Sequence, residues 1–341
     1  MQKGQVGQFL SAVSQKMKVL VPSEENGTVL FLPWNGERKI EWNKKSTLPP
    51  KDILFPKVEA LYSYQLQGAD VKIKRALLDA ETTLLFGVRS CDARSFMLMD
   101  KVFLGDQFVE AGYAARRDKT LIVALACSEE LSPACYCTSM GVDPQGGQGA
   151  DLILHQLGLA EGGEKDILGV ESLTPGGNNF LNEYRDEFFD VYPDEGVPKK
   201  DVCKFVFETQ GVAGKLRQIF EHPLWEELSR RCLSCGICTY LCPTCHCFDI
   251  PEGKTYGKGE SFRCWDSCMF PDFTLMAGGY NPRPTRTERF RNRFMHKLCF
   301  FPERYGELAC TGCGRCLEHC PVHLDSSLVV SKVLEVETGA K

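Results

Sequence analysis

The cysteines are the residues of this sequence whose type and spacing could do chemistry. Eight of the eighteen form two copies of one pattern, at 232–243 and at 310–321. Each copy reads C-x2-C-x2-C-x3-C-P, in which three close thiolates can wrap one face of a four-iron, four-sulfur cubane. The fourth cysteine of each copy lies too far along the chain to close the same cubane, so it is expected to cross to the other one. The pattern therefore predicts two [4Fe–4S] clusters with exchanged fourth ligands.

The exchange assigns four cysteines to each cluster. The predicted ligands are Cys232, Cys235, Cys238 and Cys320 for the first cluster, and Cys310, Cys313, Cys316 and Cys242 for the second. Gly236 and Gly314 allow the tight bend that such a loop needs. Zinc is the alternative for C-x2-C knuckles, but zinc gives no reason for a third evenly spaced cysteine and a Cys-Pro. Cys242-Pro-Thr-Cys245-His246 also matches a c-type haem attachment, which would remove Cys242 from its cluster.

Length, charge and composition limit the number of domains, the class of partner and the compartment that the sequence allows. The 341 residues favour two domains, and the formal net charge of −5 argues against nucleic acid as a partner. No apolar run approaches the roughly 20 residues that span a bilayer, so no membrane span is expected. Thiolates committed to metal fit a reducing cytoplasm better than a disulfide scaffold. No G-x-G-x-x-G follows a strand, so no flavin or nicotinamide site of that kind is expected.

The N-terminal half carries the pattern of an α/β domain. Apolar residues at helical spacing (Phe9, Leu10, Val13) predict an opening helix before a strand at 19–21. Two short apolar runs, 83–88 and 121–126, predict buried parallel strands, whose carboxyl ends are where sites form.

Four cysteines gather at this predicted sheet edge: Cys91, Cys127, Cys135 and Cys137. They are either the ligands of a third cluster, partly buried free thiols, or a zinc site. Cys203 stands in an apolar, strand-like run at 203–207 and is predicted to be a core residue.

The two motifs are separated by a long insertion, at about 243–309. It contains a second group of spare cysteines: Cys245, Cys247, Cys264 and Cys268. These could hold another cluster or a zinc ion, or three of them could meet a cysteine of the N-terminal domain, or all could be unligated. The insertion also contains a basic stretch at 277–293, which is either a solvated face or a source of arginines that neutralise the clusters or dock an acidic partner.

The predicted architecture has two domains. Residues 1–215 form an α/β domain with an optional extra metal site. Residues 216–341 form an α+β domain of the bacterial two-[4Fe–4S] ferredoxin type, with the long insertion and a final helix at 324–336. An acidic and aromatic segment at 184–201 is interpreted as the end of the first domain or as a linker.

Several motifs together resemble one family. In the C-terminal half they are 221–225, the first cluster motif with its continuation to 249, 265–268, 277–284, 289–293 and the second motif. In the N-terminal half they are Pro49-Pro-Lys51, 86–92 and Cys135-Tyr-Cys137. The chain resembles the beta subunit of sulfhydrogenases and the corresponding iron–sulfur subunit of anaerobic sulfite reductase.

The resemblance implies a non-catalytic iron–sulfur subunit in an oxidoreductase complex of anaerobic metabolism. Such a subunit relays electrons between a flavoprotein that handles NAD(P)H and a terminal partner. The partner can be a hydrogenase, a sulfite reductase or a heterodisulfide-reductase-like module. Family members carry the cysteines matching the N-terminal set and those matching Cys245, Cys247 and Cys268, whereas Cys264 is outside the pattern. The rival hypotheses are a catalytic reductase subunit with a substrate site at the N-terminal cysteines, and a redox sensor with labile clusters.

Overall fold

The computed structural model describes residues 1–68, 70–76, 80–157, 167–189 and 201–337. The segment 184–201 is interpreted above as the end of the first domain or as a linker. Most of it, residues 190–200, lies outside the described residues. The described strands are β1 Lys18–Glu25, β2 Thr28–Pro33, β3 Val58–Gln67, β4 Asp70–Arg75, β5 Thr83–Arg89, β6 Leu104–Gly105, β7 Phe108–Val109, β8 Thr120–Leu125, β9 Leu152–Leu157, β10 Ile167–Ser172, β11 Phe248–Asp249, β12 Glu252–Thr255 and β13 Lys258–Trp265.

The described α-helices are α1 Val6–Ser14, α2 Ser90–Phe103, α3 Ala111–Asp118, α4 Pro175–Phe188, α5 Val212–Gln218, α6 Leu224–Ser229, α7 Ile237–Tyr240, α8 Arg286–Met295, α9 Phe301–Tyr305, α10 Arg315–Glu318 and α11 Ser326–Glu335. A π-helical turn, His296–Phe300, joins α8 to α9, and short 3₁₀ turns lie at Lys3–Gln5, Pro50–Ile53, Thr138–Met140 and Asp272–Thr274. None of the described helices is long and apolar enough to cross a bilayer.

The chain divides into two compact units. The first comprises Met1–Pro50, Ala80–Phe207 and Thr311–Gly314, and the second comprises Lys51–Asp79, Glu208–Cys310 and Arg315–Lys341. The division predicted from the sequence, at 215/216, stays a prediction. In the structure, the segment with β3 and β4 groups with the C-terminal half.

The first unit is built on a sheet with the strand order β10-β9-β8-β5-β1-β2. Strands β1, β5, β8 and β9 are parallel, and β2 and β10 pair antiparallel at the two edges. Helices α1 and α4 cover one face, where Phe9 makes edge-on contacts with Phe180 and Tyr184. The opening helix and the two buried parallel strands are as the sequence predicts, whereas 203–207 is coil and not a strand.

A bulge interrupts β5 shortly before the first cysteine of the N-terminal set. The pairing of β5 with β8 shifts register between Phe86 and Val88, and Gly87 adopts φ +79°. A side chain at Gly87 would also approach Pro22 to 3.0 Å. Because a bulge re-aims the residues that follow it, Gly87 helps to set the direction of Arg89 at the start of α2.

The second unit combines an antiparallel sheet with short helices. Strand β13 pairs with β3, β11 and β12, and β4 forms the edge beside β3. Trp265 of β13 stacks on Phe55, and its indole N–H donates to the Phe55 carbonyl at 3.0 Å. Arg263 forms a buried ion pair with Glu59. These contacts explain why residues 51–68 and 70–76 belong to this unit.

Candidate metal centres

The two cysteine motifs fold into loops of the same shape. In the first motif Ser234 and Gly236 have φ of 54° and 76°, and in the second Gly312 and Gly314 have φ of 64° and 76°. Each loop leads directly into a one-turn helix, α7 or α10, and these two helices pack against each other. The repeated left-handed positions turn the backbone back on itself, so the sequence repeat is also a conformational repeat.

One cavity of the second unit is lined by the four cysteines predicted for the first cluster: Cys232, Cys235, Cys238 and Cys320. The rest of its lining is mainly apolar and includes Met269 and Phe290. Cys316, which the spacing assigns to the second cluster, lines the same cavity, so the two predicted sites are neighbours.

The surroundings of this cavity suit sulfur ligands of a metal cluster. The backbone N–H of Ser234 donates to the Cys232 sulfur at 3.4 Å, and that of Leu324 donates to the Cys320 sulfur at 3.3 Å. Burial raises the pKa of the Cys238 thiol to about 11, although the nearby Arg293 guanidinium acts in the opposite direction. A buried thiolate is stable here only with a cation beside it, which bound iron would supply. Four thiols and N–H donors aimed at sulfur fit a [4Fe–4S] cluster.

The second predicted site is organised around Lys297. Its ammonium group donates to the Cys242 sulfur at 3.2 Å, to the Thr244 hydroxyl at 2.8 Å and to the Ala309 carbonyl at 3.1 Å. Burial by itself lowers the pKa of Lys297, but the charges of Cys242, Cys245 and Cys310 outweigh burial and raise it. Lys297 is therefore a charged group beside two of the predicted ligands. Of the other two, Cys316 lies 3.6 Å from the Ser326 hydroxyl, and Cys313 lies in Thr311–Gly314, which groups with the first unit.

Three of the four spare cysteines of the insertion lie close to this site. The thiol of Cys245 hydrogen bonds to Cys242, which lowers the pKa of Cys242 well below its usual value. Cys247 hydrogen bonds to Cys268, and this bond lowers the pKa of Cys247 to about 7. A second buried lysine, Lys51, donates to the Cys245 carbonyl at 2.8 Å.

Cys264, the fourth spare cysteine, points away from the others. Its neighbours on β13, Arg263 and Trp265, both place their side chains against Phe55, and the Lys51 ammonium lies 4.2 Å from the Trp265 ring. Because side chains alternate along a strand, Cys264 faces the opposite side of the sheet. The alternative set of Cys245, Cys247, Cys264 and Cys268 therefore has one member that the fold does not bring to the rest.

The N-terminal cysteines meet in the first unit. Cys91 follows β5 and Cys127 follows β8, at adjacent carboxyl ends of the sheet. One cavity is lined by the whole predicted set, Cys91, Cys127, Cys135 and Cys137, together with Cys203, Cys313, Lys45 and Arg89. Lys45 donates to the Cys313 carbonyl at 2.7 Å, and its ammonium group lies 3.6 Å from the Cys135 sulfur.

The sequence does not indicate that Cys203 lines this cavity. It is buried, as predicted for a core residue, but its sulfur lies 3.1 Å from that of Cys137. The hydrogen bond from the Cys137 thiol lowers the pKa of Cys203 to about 5 and raises that of Cys137. The sequence signal, one cysteine in an apolar run, is the same as that of an inert core thiol.

Comparison with known proteins agrees with this geometry. The family profile described as a 4Fe–4S dicluster domain matches residues 231–324, which include both motifs and the insertion. The chain is 31% identical over 339 residues to sulfhydrogenase 2 subunit beta of Pyrococcus furiosus, and the match covers 96% of each chain. The chain belongs to the sulfhydrogenase beta subunit family. The resemblance predicted from the motifs is thereby confirmed, and the chain is an iron–sulfur electron-transfer subunit with a 4Fe–4S dicluster domain.

In this sulfhydrogenase beta-type chain, several buried cations lie beside the cysteines. Arg89, Lys51 and Lys297 are all buried, and within the described ranges no carboxylate forms an ion pair with any of them. Burial of a cation without a counter-charge is strongly unfavourable. Burial raises the pKa of the Cys127 thiol, and the positive charge of Arg89 acts in the opposite direction. Thiolates are the counter-charges available at these positions.

Only some of these cations have a signal in the sequence. Lys51 and Arg89 lie in the motifs that carry the family resemblance, and the basic stretch contains Arg289 and Arg293. Both arginines are buried, so this part of the stretch is not a solvated face. Lys297 lies outside every motif. No three Cys, His, Asp or Glu side chains of the described residues converge as closely as one metal ion requires, whereas a cubane spreads its ligands over separate iron atoms.

Proposed function

We propose that this chain relays electrons between a flavin-containing subunit that handles NAD(P)H and a terminal oxidoreductase. The terminal partner is a hydrogenase, a sulfite reductase or a heterodisulfide-reductase-like module. The observation that carries the proposal is the cavity that joins three cysteines of the first motif to Cys320 of the second. Spacing assigns these same four cysteines to the first cluster, and the cavity supports that assignment.

The second cluster is proposed on Cys310, Cys313, Cys316 and Cys242. The lining of the first cavity by Cys316 supports adjacent clusters, and adjacency is what successive electron transfers need. Cys235 and Leu233 are exposed at the first site, and this exposure supports electron exchange with a partner there. Thiolate sites of this kind suit a reducing cytoplasm, where we place the protein.

A third [4Fe–4S] cluster is proposed in the first unit, on Cys91, Cys127, Cys135 and Cys137. The convergence of all four thiols on one cavity supports this set. Arg89 supports it further, because an anionic cluster would supply the missing counter-charge for this buried guanidinium. The orientation of Cys264 makes the alternative set in the insertion the weaker candidate.

One face of the β3–β4 hairpin supports contact with a partner subunit. Tyr62, Leu66, Val71 and Ile73 share this face by register, and all four are exposed. Contiguous exposed apolar side chains mark protein interfaces. The occupant that we propose is another subunit of the redox complex, since the relative in P. furiosus is by its name a beta subunit.

A second candidate function is a reductase with a substrate site at the N-terminal cysteines. It is favoured by Cys203, because a cubane uses four cysteines and this thiol of the cavity then belongs to none of the proposed clusters. Turnover of a sulfur substrate by the isolated chain would support this function over the relay.

Iron and acid-labile sulfide per chain test the proposal, on anaerobically purified protein with EPR of the reduced sample. Two clusters require about eight irons and three require about twelve. Zinc in place of iron would refute electron transfer. About eight irons, unchanged in a Cys91→Ser variant, would refute the third cluster alone.

A further inference from the structure

One helix of the insertion passes both ferredoxin-type sites. Helix α8 continues into the π-helical turn, and it carries Arg293 and Lys297 four residues apart. Both side chains are buried, with 7% and 8% of their surface exposed. Arg293 lines the cavity of the first site, and Lys297 donates to the Cys242 sulfur at the second. Each site thus has its own buried cation from the same element.

The ammonium group of Lys297 donates three hydrogen bonds to its neighbours, which fix its position. Its three hydrogen bonds go to Cys242, Thr244 and Ala309, and the Thr244 hydroxyl itself donates to the Ala309 carbonyl at 2.8 Å. The backbone adds one more bond, from the Ala309 N–H to the Lys297 carbonyl at 2.9 Å. Ala309 directly precedes Cys310, so Lys297 ties together two predicted ligands that are distant in the sequence. π-helical turns occur often at functional sites, and this one places the lysine there.

A fixed cation changes the energetics of adding an electron. Reduction makes a cluster with its thiolates more negative, and a nearby buried positive charge stabilises the reduced state more than the oxidised state. The effect is strong where water does not screen it, and it falls with distance. Hydrogen bonds to ligand sulfur act in the same direction. A cation that contacts one ligand sulfur should therefore raise the reduction potential of that cluster in particular.

We propose that Lys297 sets the reduction potential of the second cluster and Arg293 that of the first. One helix of the insertion then determines the order in which the two clusters are reduced. The inference rests on the proposed ligand sets. Lys297 acts through Cys242 and is a positioning residue, not a catalytic one. The long insertion between the motifs then has a defined role, which is to supply a separate charge to each cluster.

The test is an EPR-monitored redox titration of the full chain with Lys297→Gln and Arg293→Gln. Glutamine keeps a hydrogen-bond donor and removes the charge. Each variant should move one of the two waves of the ferredoxin-type clusters to a more negative potential, and the two variants should move different waves. Lys297→Arg should keep both waves in place, and so should Lys332→Gln, which neutralises an exposed lysine of α11. Movement of both waves together, or of neither, would overturn the proposal.

Iron content shows whether a negative result refutes the proposed ligand sets or only the role of Lys297 and Arg293. Fewer than about eight irons in the unaltered chain would refute the ligand sets themselves. About eight irons or more, with unmoved waves in the variants, would refute the role of the two cations alone. If Lys297→Gln loses the second cluster while Lys297→Arg retains it, the positive charge itself acts on that cluster, which supports the proposal. Loss in both variants would mean that the site requires only the shape of lysine, against the proposal.

Discussion

The sulfur atoms of Cys137 and Cys203 lie 3.1 Å apart in the cavity at the carboxyl end of the first unit's sheet. This distance is longer than the roughly 2.05 Å of a disulfide, and both thiols are free. Two sulfurs so close would compete for one iron, so in the proposed third cluster one of the pair is the ligand and the other is a spare thiol. Cys137 belongs to the Cys-x-Cys pair with Cys135, which makes it the expected ligand.

Serine at these two positions should have different effects. Cys137→Ser should lower the iron content by about four atoms, because a cubane that loses one thiolate ligand is destabilised. Cys203→Ser should keep the full iron content. Iron analysis and EPR of both variants check this, with Cys299→Ser as a control for a buried cysteine outside every proposed site. A loss in Cys203→Ser but not in Cys137→Ser would exchange their roles.

The exchange of fourth ligands predicts a specific pattern of losses. Cys238→Ser and Cys320→Ser should each remove the same cluster, because both residues line one cavity. It is the exchanged spacing that assigns Cys238 and Cys320 to one cluster, since Cys316 of the other cluster also lines this cavity. The double variant should therefore lose about four irons, no more than either single variant. Cys238→Ser combined with Cys316→Ser should lose about eight. If each motif instead held its own cluster, the Cys238 and Cys320 double variant would lose both clusters.

A substitution on the exposed face of the β3–β4 hairpin should weaken binding of partner subunits without changing the iron content. Ile73→Asp puts a charge among the four apolar side chains of the proposed interface, so it should weaken copurification with partner subunits. Iron content should stay unchanged, because no proposed ligand lies on β3 or β4. Ser63→Asp, on the other face of the same hairpin by register, is the matched control. Equal copurification of the two variants would exclude this face.

Acid should destabilise the first unit through His155. Burial lowers the pKa of this histidine below its usual 6.5, and the charge of Glu171 only partly opposes the effect. The unfolded chain therefore binds the proton more readily than the folded chain. The stability that the neutral imidazole contributes is fully present above about pH 6.5 and falls as the pH drops below it. Denaturant unfolding at several pH values should show a flatter acid limb in His155→Gln, and an identical slope would contradict this.

The sequence predicts those parts of the sites that depend on local spacing. Cys232 to Cys238 fix one loop, and the ferredoxin spacing already implies that Cys320 joins it. The terminal positions of Cys91 and Cys127 follow from strand patterns. The positions of Lys297, Lys51 and Cys203 depend on contacts between distant segments, such as Lys51 with Cys245 and Cys137 with Cys203, and local patterns carry no record of these. The orientation of Cys264 likewise depends on which face of β13 packs on Phe55.

Gly236 should be required for loading of the first cluster. It adopts φ +76° between Cys235 and Cys238, and a Cβ there would lie 2.8 Å from the Phe270 ring. Gly236→Ala therefore adds both left-handed strain, of order 1 kcal/mol or more, and a steric clash in the loop that holds three ligands. We expect lower iron content and a lower unfolding temperature. Gly278→Ala is the matched control, because a Cβ at Gly278 would meet no described atom within 4 Å. If Gly236→Ala loads iron like Gly278→Ala, the left-handed turn is not what shapes the ligand loop.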